Sequence, residues 1–483
     1  MFLIWRKCGW EVICFFLFFG LVADQIFVPP VTGLANNSDF VYVLGKLSIC
    51  PADREKQDSI YLVTDYFVDP EQCTWDIGLI SSEIPLVIAA RFLSAPFTGF
   101  QKFDLRALGA LHLTILLLAF GILLFVSRKG SAPVRYGVPI LFLLIFSDVA
   151  YTGYLNSVYL DAPSFVWLLA TTAIAVAACL EHRSWGLSAG FLLCGTALVF
   201  AKSQHALLGL VFSGIALVLT LRRARVAVRV RWGAIAILLT ASTITMLSVT
   251  PTHYRLFALY NVVFTRLAPH ALEPWSVLNE VGLSDDDLKY LNTNAYTPGA
   301  PVYDAVWSEQ FLQRTSFGKL AWFYLRNPDV VLKETNRELV SSAAVLRPKD
   351  MANYREKDGF PPRTLATRFS LWSSMRSSLS SMLPHFVIAI YLAPWFYAIL
   401  AWKYRVLRSP LTPVAIALSL AGVMEFELST LTDALDNSRH LFIFQVITEL
   451  LILMIAGRIL DAMTPRKSIL TETNDSATEV LIS

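Results

Sequence analysis

Two kinds of side chain that could do chemistry lie just beyond the ends of apolar runs in this chain. The first is a carboxylate, Asp39, in the polar stretch Asn36-Asn37-Ser38-Asp39-Phe40, shortly after the first apolar run. An ionised carboxylate within hydrogen-bond reach of a hydroxyl can act as its general base. The same five residues also suit an ordinary solvated turn. The second kind is cationic. Lys202-Ser203-Gln204-His205 joins two apolar runs, and Arg439-His440 opens the last one. Snorkelling accounts for Lys202 but not for Gln204 and His205 beside it. Cations placed close to Asp39 would suit the phosphate of an anionic lipid. Three further positions carry acids. Asp148 falls inside an apolar run near its end, where a carboxylate costs about 3 kcal/mol on insertion scales, so it is either a hydrogen bond between helices or a catalytic group. Asp161 precedes a helix start with Pro163 behind it, which suits an N-cap or a second catalytic acid. Asp433 and Asp436 make an acidic-then-basic cluster with Arg439, or a solvated loop.

The elements that must position these residues are membrane helices. The chain has 483 residues, is 55% hydrophobic and 16% charged, and has a mean hydropathy of +0.54. A soluble protein carries roughly 25% charged residues. The apolar excess is gathered in blocks of about 20, the length that crosses a bilayer core. The fold class is therefore an all-α polytopic membrane protein with about ten transmembrane helices. The spans are Gly9–Val28, Leu105–Val126, Tyr136–Tyr151, Ala162–Leu180, Trp185–Ala201, Ala206–Leu221, Trp232–Val249, Pro384–Trp402, Thr412–Phe426 and His440–Ala456.

Four segments follow: 1–250 with spans one to seven, 251–383 as a mainly helical extracytoplasmic domain, 384–460 with the last three spans, and a disordered tail 461–483. Loop 29–103 carries Asp39 and a half-apolar piece, Ile84–Leu93, whose Pro85 and Arg91 suit a helix lying on the membrane surface. The first span suits a retained signal anchor.

Basic residues in short loops set orientation. With the N-terminus inside, Arg6 and Lys7, Arg128, Lys129 and Arg135, Arg183, the run Arg222, Arg223, Arg225, Arg229 and Arg231, then Lys403, Arg405 and Arg408, and finally Arg458, Arg466 and Lys467 all fall inside. Both termini are then cytoplasmic. The Asp39 loop, Asn156–Asp161, Lys202–His205, the 251–383 segment and Asp433–His440 all fall outside. Of the six cysteines, Cys8, Cys14, Cys179 and Cys194 sit in or beside apolar runs as small buried hydrophobes. Cys50 and Cys73 share one polar loop and could pair in an oxidising compartment, although sequence alone does not show that their Cβ atoms meet. Walker A, GxGxxG, HExxH and paired CxxC motifs are absent, so neither a nucleotide site nor structural zinc is expected. No basic face points to nucleic acid.

A string of short matches resembles the bacterial integral-membrane glycosyltransferases of the GT-C type, in particular the hexose transferases of surface-glycan assembly. The string comprises Gly33–Phe40, Phe103-Asp104-Leu105-Arg106, Asp148, Asn156-Ser157-Val158-Tyr159, Ala201-Lys202-Ser203-Gln204-His205, Tyr260-Asn261-Val262-Val263-Phe264, Val281-Gly282-Leu283, Leu371-Trp372-Ser373 and Ser438-Arg439-His440-Leu441. Two departures stand out: Asp161-Ala162-Pro163 where such families tend to have Glu-Pro-Ala, and Lys202-Ser203-Gln204 where they tend to have Lys-Pro-Gln.

The resemblance implies an enzyme of the bacterial cytoplasmic membrane. It would move a sugar, a hexose, from a polyprenyl-phosphate donor to an extracytoplasmic glycan or lipid-linked acceptor, with inversion. Asp39 would be the base. Asp161 or Asp148 would orient acceptor or base. Lys202, Gln204, His205, Arg439 and His440 would meet the lipid phosphate. Some members use a divalent metal; two carboxylates here could ligate one, though nothing demands it. The alternatives are a transporter or lipid flippase, for which internal repeats and broken mid-membrane helices would be expected, and a non-catalytic scaffold.

Overall fold

The computed structural model describes residues 2–51, 59–181, 184–222, 225–348, 350–404 and 407–464. Arg183, Arg223, Arg405, Arg466, Lys467 and the part of the expected tail 461–483 beyond residue 464 lie outside the described residues, as do the side chains of Arg6, Lys7 and Cys8, whereas residues 461–462 belong to the last helix and not to a disordered tail.

The chain is a helical membrane bundle with a polar cap on one end. Helix α1 (Phe2–Phe27) leads into the Asp39 loop, which holds a short α2 (Val41–Leu44), strands β1 (Ile49–Pro51) and β2 (Asp65–Val68), α3 (Glu83–Thr98) and β3 (Lys102–Asp104). The strands form a small antiparallel sheet, with Ile49 opposite Val68 and Asp65 opposite Asp104. Cys50 on β1 is disulfide-bonded to Cys73. Next come α4 (Leu105–Ser127), α5 (Ala132–Phe146), α6 (Val149–Thr152), α7 (Asp161–Leu180), α8 (Trp185–Val199), α9 (Leu208–Leu221) and α10 (Val226–Ser248). The cap segment contributes α11 (Thr252–Asn261), α12 (Pro274–Glu280), α13 (Ala305–Arg314), α14 (Phe317–Arg326), α15 (Pro328–Val340) and α16 (Leu371–Ser378). The chain then returns through α17 (Leu383–Lys403), α18 (Thr412–Thr432), α19 (Asn437–His440) and α20 (Phe442–Ala462).

Among the described residues, 8 helices are long and apolar enough to cross a membrane. The third expected span is bent: α5 breaks and turns by 58° into Val149–Asn156. The fifth is the short apolar helix Trp185–Val199. Helix α7 is almost wholly buried and forms the bundle centre, built largely from Ala, Thr and Ser, which let neighbouring backbones approach. Large apolar side chains such as Phe16, Leu118, Leu193, Ile237 and Ile399 stay exposed on the flanks, as expected of a lipid-facing surface. Helix α3 likewise leaves Phe92, Leu93 and Phe97 exposed. It is anchored by Glu83, whose carboxylate meets His112 of α4 at 3.2 Å with both side chains fully buried.

The cap segment has two differently packed parts. The first builds its own core around Tyr260, Phe264, Leu278, Phe311 and Phe323. The second sends Ala343, Leu346 and Met351 into the main core of the bundle. This second part also straps the Asp39 loop. The Gly33 and Ala35 amides donate to the Asn353 and Ala352 carbonyls (3.1 and 2.9 Å), and the Leu62 amide donates to the Tyr354 carbonyl (2.9 Å).

Candidate functional site

The site is assembled at the capped end of the bundle from the starts and ends of several helices. Asp39 stands at the end of the strapped loop, just before α2, with its side chain 31% exposed. Its Oδ2 takes an ion pair from Nη1 of Arg439 in α19. Arg439 is itself buried; its Nε lies 2.8 Å from Asp436 Oδ2, and its guanidinium stacks on the Tyr159 ring at 4.8 Å. The Tyr159 hydroxyl donates to the Ala35 carbonyl at 2.8 Å and accepts from the Asn37 amide at 3.0 Å. Tyr159 therefore positions both the base candidate's loop and the arginine that meets it.

A second group adjoins the first. Asp161, in the first turn of α7, takes Lys202 Nζ at 3.0 Å and lies 3.5 Å from His205 Nε2. The other ring nitrogen of His205 faces Glu425 Oε2 of α18 at 2.6 Å. Lys202 Nζ is 3.3 Å from His440 Nδ1, and His440 Nε2 is 3.3 Å from Asp433. Gln204 donates to the Ser429 hydroxyl at 2.8 Å and to the His440 carbonyl at 3.3 Å. Asp161, His205 and Glu425 are fully buried, whereas Lys202 keeps some exposure. Burial of this kind is sustainable only because each charge has a partner.

Asp39, Asp161, Lys202, Gln204, His205, Arg439 and His440 are thus brought together. Asp148 is not. It caps α6, accepting from the Ala150 amide at 2.9 Å, and also takes the Ser373 amide at 2.9 Å, which pins α16 to the break after α5. These partners suit the first of the two readings open to it, a hydrogen bond between helices. Glu425 is the site residue that sequence reasoning missed; its signal was a carboxylate inside the apolar run Thr412–Phe426. Among the described residues no group of three or more His, Cys, Asp or Glu could hold a metal ion.

Electrostatics at the rim follow from burial. Burial pushes the carboxyls of Asp433 and Asp436 above their ordinary value, opposed by the nearby Arg439 and Lys202. Burial, with the charge of Asp39 beside it, pushes the Tyr42 hydroxyl up to about 12.

No curated protein and no solved structure matches the chain. A family model described as the YfdI N-terminal transmembrane domain matches residues 4–479, nearly the whole chain, and the protein belongs to the YfdI N-terminal transmembrane domain family.

Proposed function

We propose that the protein is a membrane glycosyltransferase of the GT-C type. It moves a sugar, a hexose, from a polyprenyl-phosphate donor to an acceptor outside the cytoplasm during envelope glycan assembly, with inversion. The observation that carries this reading is the joining of Asp39 to Arg439, with Lys202, His205 and His440 beside it, at one end of a membrane bundle. A base and a phosphate-binding set are the two things such a transfer requires.

In this reaction Asp39 takes the proton of the acceptor hydroxyl as its oxygen attacks the anomeric carbon. The bond from that carbon to the phosphate oxygen breaks on the opposite face, and the lipid phosphate leaves with the electron pair. Lys202 and Arg439 stabilise the charge that develops there. Asp161 orients Lys202 and His205 rather than reacting. The contact of Arg439 with Asp39 also sets an order of events. A guanidinium that turns from Asp39 to the donor phosphate frees Asp39 Oδ2 to take the hydroxyl proton, so donor binding unmasks the base.

The test is transfer in proteoliposomes, with radiolabelled polyprenyl-phosphate sugars as donors and crude envelope lipid as acceptor. Asp39→Asn should cost at least about a hundredfold in rate, within the range for a lost general base. Undiminished transfer by that variant would remove Asp39 from the reaction. A transporter or lipid flippase is the second reading, and one feature favours it. At the opposite end of the bundle a mainly apolar cavity of about 940 Å³ opens between α4, α5, α7, α17, α18 and α20, with Lys129, Glu181, Arg458 and Asp461 among its lining residues. Donor lipid that crosses the bilayer without label reaching any acceptor would favour that reading.

A further inference from the structure

At the end of the bundle away from Asp39, the cavity of about 940 Å³ is polar at its mouth and mainly apolar below. Helix ends make the mouth. Lys129 follows α4, Glu181 caps the C-terminus of α7, Thr412 opens α18, and Arg458 and Asp461 lie in the last turns of α20. Below them the walls are Leu123, Phe142, Leu169, Val176, Leu450 and Met454. An apolar cavity of about 150 Å³ already takes up benzene and stays free of water. One about six times larger takes hydrocarbon chains, because its walls otherwise forfeit their dispersion contacts. Among the described residues, the mouth carries two ion pairs. Lys129 pairs with Glu181, and Arg458 Nη1 lies 3.5 Å from Asp461 Oδ2. The four side chains are 38–50% exposed, so the pairs open at little cost. Two buried donors beside them, Arg458 Nε and the Thr412 hydroxyl, have no partner. Arg458 Nη2 donates to the hydroxyl of Tyr397, another lining residue, which fixes the guanidinium at the cavity wall.

We propose that this cavity holds a phospholipid of the inner leaflet whose headgroup carries a primary ammonium, that is, an ethanolamine phospholipid. Its acyl chains lie among α4, α5, α7, α17, α18 and α20, and its headgroup lies at the mouth. The phosphate takes Lys129 and Arg458, with Arg458 Nε and the Thr412 hydroxyl donating to phosphate or ester oxygens. Glu181 and Asp461 then lose their cations, and the ammonium of the headgroup replaces them with its three N–H donors. One phosphate and one ammonium thus exchange with the two ion pairs and leave no charge unmatched. An anionic headgroup without an amine meets the two carboxylates as like charges. A choline headgroup has no N–H to offer them. The leaflet follows from the orientation that the basic loops imply. The site is at the other end of the bundle from Asp39, so it stands whether or not the capped end transfers sugar. It competes with the flippase reading, in which the same cavity passes a polyprenyl lipid.

The test is native mass spectrometry of the full chain, with thermal melting beside it. Protein purified from bacterial membrane in mild detergent should retain one phosphatidylethanolamine per chain. Delipidated protein is then titrated with dioleoyl phosphatidylethanolamine, phosphatidylglycerol or phosphatidylcholine. The first should bind at least about tenfold tighter than the other two and raise the melting temperature with its concentration, as any ligand of the folded state does. The double variant Lys129→Gln with Arg458→Gln should weaken that binding about tenfold or more. Arg225→Gln with Arg229→Gln removes the same charge from exposed positions outside the cavity lining and should bind as wild type does. Loss of binding in both double variants would show general attraction to a basic surface and overturn the site. Equal binding of phosphatidylglycerol, or undiminished binding by the Lys129 and Arg458 variant, would overturn it too. A retained mass of polyprenyl phosphate in place of phospholipid would also overturn it and give the cavity to the flippase reading.

Discussion

Asp39, Asp161, Glu425, Asp433 and Asp436 outnumber the permanent cations they surround, Lys202 and Arg439. Neither cation is idle, so on the proposed reading an incoming phosphate would compete with carboxylates already in place, and that competition is how donor binding would free Asp39. Asp433 gives a separate handle on these charges. Burial raises its carboxyl above the ordinary value of 3.8, so its folded-state ionisation is unfavourable. A raised carboxyl contributes stability below its unfolded pKa and loses it as pH rises through the folded one. Asp433→Asn, which keeps an acceptor for the Ala434 amide (2.7 Å in the wild type), should therefore raise the melting temperature in detergent at neutral and alkaline pH. The gain should vanish in acid. A gain constant across pH would show that ionisation of Asp433 is not its source. The residues legible in the sequence were those whose charge stood near a span end, such as Asp39 and Arg439, although they lie 400 positions apart. Asp148 and Glu425 gave the same signal, a carboxylate in an apolar run. They differ only in what faces them, backbone amides in one case and His205 in the other. Sequence gives the cost of such a group but not its partner.

Asn156 is the residue on which the elements around the site converge. Its side-chain amide donates to the Ile26 carbonyl at 2.9 Å and the Thr32 carbonyl at 2.8 Å, while its own carbonyl accepts from the Leu34 amide at 3.3 Å. The end of α1, the turn after α6 and the Asp39 loop are thereby held together. Close approach requires glycine at position 33, where a Cβ would meet the Asn156 carbonyl oxygen at 2.6 Å and Leu62 at 2.8 Å. Gly33→Ala should destabilise the fold by about 1–3 kcal/mol through overpacking and lower transfer with it. Gly20→Ala, with nothing within 4 Å, is the matched control. Thermal melts in detergent in which the two variants coincide would contradict this account. The same view sorts the motif string. Gly33–Phe40, Lys202–His205 and Ser438–Leu441 build the site. Asn156, Asn261, Gly282 and Ser373 build the frame: Asn261 accepts the Ala295 amide at 2.7 Å, and Gly282 sits at a φ of +89° against the Arg314 carbonyl. Apolar periodicity made the long helices legible. The bend after α5 and the small sheet in the Asp39 loop were not, because each rests on pairing between distant stretches: Val149 with Phe369 in one case, β2 with β3 in the other.

At the scale of the molecule, the exposed basic residues and the Asp39 network occupy opposite ends of the bundle. The Asp39 network lies at the capped end. Lys129, Arg225, Arg229 and Arg408 are exposed at or near helix ends on the other side, where Lys129 pairs with Glu181. On the proposed orientation the basic loops lie in the cytoplasm and Asp39 outside, and the Cys50–Cys73 disulfide in the same loop suits an oxidising compartment. Orientation therefore decides whether the site can meet an outer-leaflet donor at all. Two positions report it with little disturbance. Leu272 is fully exposed in the cap, and Met463 is 70% exposed just past the end of α20. Cys14, Cys179 and Cys194 are buried and should give little background, and both variants are made with Cys8→Ser. In spheroplasts, a membrane-impermeant maleimide should label Leu272→Cys directly and Met463→Cys only after permeabilisation. The opposite pattern would place Asp39 and its cations on the cytosolic side. The lipid phosphate would then have to be met in the inner leaflet, and the large apolar cavity would become the outward-facing feature of the molecule.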